Sequence, residues 1–208
     1  MLKANTKEDC GGKFKLDEKF HKRNRKFTNN MYESGGNTTI DFGRRVISEG
    51  KTSKGEYDSI HLPRGVVDWH SHPRKCLNDD KCALGIPSPA DLGNVALGAL
   101  YGTKVHMVYS REGTYEIKLC KLKVAKFIKD ASAFEEFTER LHHIFLGIHD
   151  KYVNKSYKDY QKEWFKEAKE IGFLVKLWPK DNSPIIEMNY DCALEAQSPK
   201  IMGINLPK

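Results

Sequence analysis

The chain has 208 residues and a net charge of +7, and its composition suits a soluble protein with one good core and an appendage. No run of about eighteen or more apolar residues occurs, which excludes a transmembrane helix, and residues 1–7 lack the apolar segment of a secretory signal. Five scattered cysteines favour a reducing compartment. We therefore expect an intracellular protein of the cytoplasm or nucleus, without a membrane partner.

Residues 1–26 are predicted to form a basic N-terminal arm, because residues 1–30 hold nine Lys or Arg against four acids. The end of this arm, residues 21–26, could contact nucleic acid or an acidic protein surface. A solvated terminus is the commoner explanation of such a charge run. A nucleic-acid partner has no further support, since no aromatic residues are interleaved in a base-stacking pattern.

The next hundred residues alternate between β-patterned and helical segments. Strands are expected at 37–47, 65–69, 104–110 and 114–122, and a helix of small residues at 91–101. Residues 51–57 are rich in Gly, Lys and Ser and look like a loop. His106, in the third of these strands, is interpreted as a core or edge histidine rather than a metal ligand.

From about residue 130 the hydrophobic period becomes helical. One apolar stripe follows a Ser132-x-x-Glu135 capping box, and a second ends at Gly172, a residue typical of helix C-termini. We predict a helical extension over residues 126–177 that packs against the preceding domain. Residues 178–208, rich in Pro, Asn and Ser, are predicted to be an extended C-terminal tail.

The most informative segments are Asp68–Pro73 and Pro87–Leu92. Residues i and i+2 of a strand point the same way, so His70 and His72 can offer both imidazoles to one point. Ser88 is typical of a helix N-cap, with Asp91 three residues later. Two imidazoles and one carboxylate leave one position of a tetrahedral Zn²⁺ open for water, as catalysis requires.

Each half of this pattern also has a simpler interpretation. Ser88 and Asp91 can cap a helix with no metal present, and a His-x-His pair often only satisfies hydrogen bonds in a core. Their combination, with His-x-His-Pro at a strand end and Ser-x-x-Asp at the following helix start, favours a metal site.

The segments His70–Pro73 and Ser88–Asp91 resemble the motif of the JAMM (JAB or MPN+) zinc metalloproteases. The resemblance covers residues 27–125. It implies a JAMM (MPN, cytidine-deaminase-like) α/β sandwich there, with the helical extension and the extended termini outside it. It also implies a Zn²⁺ held by His70, His72 and Asp91, with Ser88 beside the open position.

The family motif also has an upstream glutamate followed shortly by glycine. Glu33, before Gly35 and Gly36, fits this pattern best. Glu49 and Glu56 are alternatives, although both lie in or beside a loop-like stretch.

The chain departs from the family pattern in one place. Fifteen residues separate His72 from Ser88, more than is usual in the family, and the polar segment 74–82 is expected to loop out at the rim of the site. Its two cysteines, Cys76 and Cys82, could form a disulfide or a second metal half-site. Free thiols are the simpler expectation, because no Cys-x-x-Cys motif accompanies them.

The resemblance implies a zinc-dependent isopeptidase or peptidase that removes ubiquitin or a ubiquitin-like protein. Glu33 would then be the general base and Ser88 the oxyanion donor, and ubiquitin conjugates would be the partners. The alternative is a virion, minor capsid or assembly protein that uses the fold as a scaffold and its basic and extended arms to bind neighbours. The Lys/Asn-rich composition of the chain is similar to that of JAB-domain proteins of large DNA viruses.

Overall fold

The computed structural model describes residues 12–56, 59–73, 85–120, 124–125, 129–152 and 156–188. These residues form a mixed α/β fold, as expected from the sequence. The strands are β1 (Lys13–Leu16), β2 (Ser34–Asp41), β3 (Val46–Lys54), β4 (Val67–Ser71), β5 (Val105–Tyr109), β6 (Gly113–Leu119), β7 (Phe173–Pro179) and β8 (Ile185–Glu187). The helices are α1 (Glu18–Phe27), α2 (Pro89–Leu100), α3 (Ala131–Tyr152) and α4 (Tyr157–Ile171).

One eight-stranded sheet joins all these strands, in the order β7-β6-β5-β4-β2-β3-β1-β8. Its two central strands, β4 and β5, are parallel and connected through α2, while β2 pairs with β4 in the antiparallel sense. The Lys118 ammonium of β6 donates to the Glu187 carbonyl of β8. The sheet is therefore curled, because β8 at one edge approaches β6 near the other.

Side-chain alternation along the central strands separates two cores. Val67 and Trp69 of β4 lie in the core that includes Phe20 of α1. Val108 of β5 lies in the core formed with α2, α3 and α4. Because successive side chains of a strand point to opposite faces, His70 shares the α2 face. The sheet thus presents His70 to the start of α2.

A glycine allows β2 to approach β4 beside this position. Gly35 is paired with His70 across the two strands. A Cβ atom at Gly35 would lie 2.4 Å from Leu62 Cδ2 and 2.7 Å from the Trp69 carbonyl oxygen. The close approach lets β2 bring the residue that precedes it, Glu33, to the end of β4.

The basic arm predicted over residues 1–26 is wrong for residues 13–26. These residues form β1 and most of α1, and Phe14, Leu16 and Phe20 are buried. Asp17 caps the helix by accepting a 2.9 Å hydrogen bond from the Phe20 amide. The charged residues lie mainly on the exposed side, so the segment is amphipathic. Its net charge alone does not reveal this pattern. Residues 1–11 lie outside the described part of the chain.

The predicted strand 37–47 and the predicted loop 51–57 are both corrected. Residues 37–47 contain the end of β2, a turn and the start of β3, with Arg45 in the left-handed region at φ 54°. Residues 51–54 belong to β3, and Lys54 pairs with Ser34. Strand pairing, rather than any hydrophobic pattern, makes this polar segment extended. Residues 57–58 lie outside the described part.

The helices predicted after residue 130 are present as α3 and α4, and α4 is followed by Gly172 with φ 127°. The predicted helical extension is wrong for residues 173–177, which belong to β7 and pair with β6. The predicted capping box at Ser132 and Glu135 is wrong, because α3 begins at Ala131 and Ser132 lies inside its first turn. Asp130 accepts a 2.8 Å hydrogen bond from the Ala133 amide instead.

The predicted C-terminal tail is wrong for residues 178–188. Pro179 ends β7, which pairs with β6, and β8 pairs with β1. Ile186 and Met188 are buried in the core under α1. The rest of the predicted tail, residues 189–208, lies outside the described residues. Among the helices of the described part, none is long and apolar enough to cross a membrane.

Candidate metal centre

The end of β4 carries two histidines that converge with the start of α2. The Nε2 atoms of His70 and His72 lie 2.9 Å apart. Asp91 faces both: its Oδ1 lies 3.1 Å from His70 Nε2, and its Oδ2 lies 3.1 Å from His72 Nε2. Strand geometry explains the pair of histidines, since His72 lies just beyond β4 but its amide still bonds the Tyr109 carbonyl of β5.

The capping box expected at the start of α2 is present in the same place. The Ser88 hydroxyl accepts a 3.1 Å hydrogen bond from the Asp91 amide, and Asp91 Oδ2 accepts a 2.6 Å bond from the Ser88 amide. The capping interpretation and the ligand interpretation are therefore compatible. The cap fixes the rotamer of Asp91, which keeps the carboxylate directed at the two imidazoles.

The electrostatics of the cluster differ between its members. Burial lowers the pKa of His70 to about 4, although Asp91 opposes this shift. Burial also acts to lower the pKa of His72, but Asp91 and Glu33 outweigh it, and the pKa of His72 is raised. Burial would raise the pKa of Asp91, yet the two imidazoles hold it well below its usual range. The carboxylate is therefore ionised, and His70 is neutral, as metal ligands must be.

The three side chains fit a metal ion. A tetrahedral Zn²⁺ with bonds of about 2.0–2.1 Å holds neighbouring ligand atoms about 3.3 Å apart, and the observed separations are only a few tenths of an ångström shorter. Both Nδ1 atoms are engaged elsewhere, so both Nε2 atoms face one point. His70, His72 and Asp91 can thus hold a metal ion, as the sequence predicted, and they are the one such group found among the described residues.

A cavity of about 340 Å³ adjoins these three side chains. Its polar wall includes Glu33, Ser88 and Asn94, and its apolar wall includes Ile60 and Leu62. The same cavity is thus lined by the metal-binding side chains and by both predicted catalytic residues.

Glu33 is the one of the three candidate glutamates that lines the cavity. It is buried just before β2, and its charge acts on His72. Glu49 instead pairs with Arg23 and accepts a 2.8 Å hydrogen bond from Thr52. Glu56 is exposed, and its carbonyl accepts a 2.9 Å bond from the Glu33 amide. Of the three candidates, Glu33 is therefore the one that the structure brings to the cavity beside the metal-binding side chains.

The structure gives His106 a part that the sequence did not reveal. His106 is buried and is not a member of the metal-binding group, as predicted, but its Nε2 lies 2.8 Å from His70 Nδ1. Its other ring nitrogen contacts Asp68. This contact results from the register of the parallel strands β4 and β5, which places His106 opposite Asp68. No pattern in the neighbouring sequence predicts it.

The support of His72 was also missed. His72 Nδ1 donates to the Gly85 carbonyl at 3.1 Å, and the Gly85 amide donates to Glu112 Oε1 at 2.8 Å. Glu112 Oε1 also accepts a 3.0 Å bond from the Tyr157 hydroxyl of α4. Burial raises the pKa of Tyr157, so the phenol keeps the proton that it donates.

The polar segment 74–82, expected to loop out at the rim of the site, lies wholly within residues 74–84, outside the described part of the chain. The same holds for Cys76 and Cys82, so the expectation of free thiols stays a prediction.

The fold and the site define an α/β protein with a buried group of two histidines and one aspartate that can hold a metal ion. Comparison of the chain with protein-family models, with curated proteins and with solved structures finds no match.

Proposed function

We propose that the chain is a zinc-dependent peptidase of the JAMM type that hydrolyses an isopeptide or peptide bond. One observation carries the proposal. The two Nε2 atoms of His70 and His72 and both carboxylate oxygens of Asp91 converge beside a cavity lined by Glu33 and Ser88. This arrangement combines a three-ligand metal site, a buried carboxylate and a hydroxyl, which are the parts that metal-assisted hydrolysis requires.

The donor set and the local fold both support this assignment. Two imidazoles and one carboxylate are ligands typical of catalytic zinc, which keeps a further position open. The histidines lie at the end of β4, Ser88 opens α2, and Glu33 directly precedes β2. These are the positions that the resemblance to a JAMM sandwich implies.

A Zn²⁺ held by the three ligands would act as a Lewis acid on the scissile carbonyl and would lower the pKa of water. Glu33 would accept the proton of the attacking water and pass it to the leaving amine.

Ser88 would donate a hydrogen bond to the oxygen of the scissile carbonyl as negative charge develops there. The Ser88 oxygen already accepts the Asp91 amide hydrogen, which leaves the hydroxyl proton available for donation. In other enzymes, such a donor contributes about 2.7–4 kcal/mol to the transition state.

We propose ubiquitin or a ubiquitin-like protein as the substrate. A Gly-Gly tail has no side chains beyond hydrogen, so it can enter a narrow cleft beside the metal. Selectivity would then come from surfaces outside the cavity.

Metal analysis combined with cleavage of isopeptide-linked di-ubiquitin tests this function. The purified protein should hold one Zn²⁺ per chain and release monomeric ubiquitin. Glu33→Gln should retain the zinc and lose activity by about 10²–10⁴-fold, since the carboxylate moves protons without binding the metal.

Glu49→Gln is the matched control, because Glu49 is also a glutamate of this region but pairs with Arg23. It should retain wild-type zinc content and activity. Full activity of Glu33→Gln, with activity lost on changing Glu49 or Glu56, would contradict the assignment of Glu33 as the general base. Stoichiometric zinc without hydrolysis would instead favour the scaffold or assembly function.

A further inference from the structure

A buried chain of hydrogen bonds runs from Asp68 through His106 to the metal ligand His70. His106 Nε2 lies 2.8 Å from His70 Nδ1, and His106 Nδ1 contacts Asp68 Oδ1. The other carboxylate oxygen of Asp68 accepts a 3.2 Å hydrogen bond from the Thr103 hydroxyl and lies 3.7 Å from an Arg64 nitrogen. As whole residues, Asp68 is 0% exposed and His70 and His106 are each 2% exposed.

Strand geometry explains why a second histidine stands between the acid and the ligand. Asp68 and His70 share one face of β4, and residues i and i+2 of a strand lie about 6.6 Å apart. In the structure, the Asp68 carboxylate contacts the imidazole of His106. His106 is the residue of β5 paired with Asp68, and its ring spans the gap.

The proton positions in the series of hydrogen bonds from Asp68 through His106 to His70 follow from the carboxylate at its start. The carboxylate of Asp68 accepts hydrogen bonds, so a neutral His106 carries its proton on Nδ1 and its Nε2 is an acceptor. His70 must then carry its proton on Nδ1 and donate it to His106. The lone pair of His70 is thereby left on Nε2, the nitrogen that faces His72 and Asp91.

We propose that Asp68 and His106 are positioning residues of the metal centre, which fix the tautomer and the ring orientation of His70. The inference depends on the metal site of the proposed function but not on the hydrolysis reaction. Partners of this kind orient ligating histidines in other metalloproteins, and their loss typically lowers metal affinity about 10–100-fold.

A purely structural role is the competing explanation. Buried polar groups are costly, and apolar residues of similar volume often stabilise a core as well or better. A polar chain that served stability alone could therefore be replaced without consequence for the ligand. The test must separate metal affinity from stability for this reason.

The test compares three variants of the full chain, stripped of metal and titrated with Zn²⁺ against a chelator and with Co²⁺ by absorption spectroscopy. His106→Leu removes the acceptor for His70 Nδ1. His106→Gln provides an amide oxygen to accept that bond and an amide group to donate to Asp68. The double change Asp68→Leu with His106→Leu replaces the whole buried polar pair by apolar side chains.

The Zn²⁺ affinity of His106→Leu and of the double variant should fall by about 10–100-fold, with an altered Co²⁺ spectrum. His106→Gln should recover most of the affinity and the wild-type spectrum. The double variant keeps the test decisive if His106→Leu fails to fold, because it leaves no buried carboxylate unpaired.

Thr38→Val is the matched control, since it removes a buried 2.9 Å hydrogen bond to the Val67 carbonyl without touching a ligand. Its melting temperature should fall while its Zn²⁺ affinity stays unchanged. Wild-type affinity and spectrum in the folded double variant would overturn the proposal. A wild-type protein that binds no metal would overturn this inference together with the metal site, whereas metal binding without hydrolysis would overturn the reaction alone.

Discussion

His70 and His72 are two residues apart, yet different parts of the molecule support their imidazoles. Side chains of the two central strands hold His70, through His106 and Asp68. A backbone carbonyl, that of Gly85, holds His72. The side chain of His70 is 3% exposed and that of His72 is 17% exposed.

His70 is therefore supported by the sheet itself, whereas His72 is supported by the connection between β4 and α2. The position of His106 is set by the register of β4 and β5, which changes only if the central sheet opens. The position of Gly85 depends on the Glu112 carboxylate, which in turn accepts the Tyr157 hydroxyl of α4. Changes in the helical pair should therefore reach the metal through His72 and not through His70.

The largest expected effect comes from removing both ligands. His70→Ala combined with His72→Ala leaves Asp91 alone and should abolish stoichiometric metal binding, measured by elemental analysis after gel filtration. The matched control is His142→Ala with His143→Ala, because these neighbouring histidines are exposed on α3. Zinc retained at one per chain in the first variant would contradict the assignment of the site.

A smaller effect is expected from breaking the support of His72 alone. Glu112→Ala removes the acceptor of the Gly85 amide and of the Tyr157 hydroxyl, so the Gly85 carbonyl is no longer held against His72. Zn²⁺ affinity should fall about 10-fold, at the lower end of such partners, as measured by chelator competition.

Glu116→Ala provides the control for this change. Glu116 is a buried glutamate of β6, the strand that begins just after Glu112, and it accepts a 2.7 Å hydrogen bond from Trp178 Nε1 and pairs with Lys118. Its loss should lower the melting temperature without changing metal affinity. If both variants change affinity equally, the effect comes from general destabilisation of the sheet and not from the contact with Gly85.

The sequence predicted the part of the site that depends on local geometry. The i, i+2 spacing of His70 and His72 needs only a strand, and the Ser88–Asp91 box needs only a helix start. Both are properties of short segments. The choice of Glu33 over Glu49 needed the family pattern as well as the glycines that follow it.

The sequence did not predict the supports of either histidine, because both depend on long-range pairing. His106 meets His70 only through the parallel register of β4 and β5. Tyr157 meets Glu112 only once α4 has packed beside the β5–β6 turn. Long-range pairing also explains why β1 and β8 were mistaken for arms, since each is a short strand whose partners are distant in sequence.

The smallest expected effect is the coupling energy between Tyr157→Phe and His106→Leu in Zn²⁺ affinity, which should be close to zero. Tyr157→Phe removes one hydroxyl and should lower stability by about 0.5–1.5 kcal/mol, with less than about a tenfold loss of Zn²⁺ affinity. If the supports of His70 and His72 are independent, combining Tyr157→Phe with His106→Leu should give affinity losses that add within about 0.3–0.5 kcal/mol. The double-mutant cycle uses the same chelator competition on all four proteins. A coupling energy well above that range would mean that the two imidazoles respond as one unit through their shared partner Asp91, and that the sheet and the helical pair do not act on the metal separately.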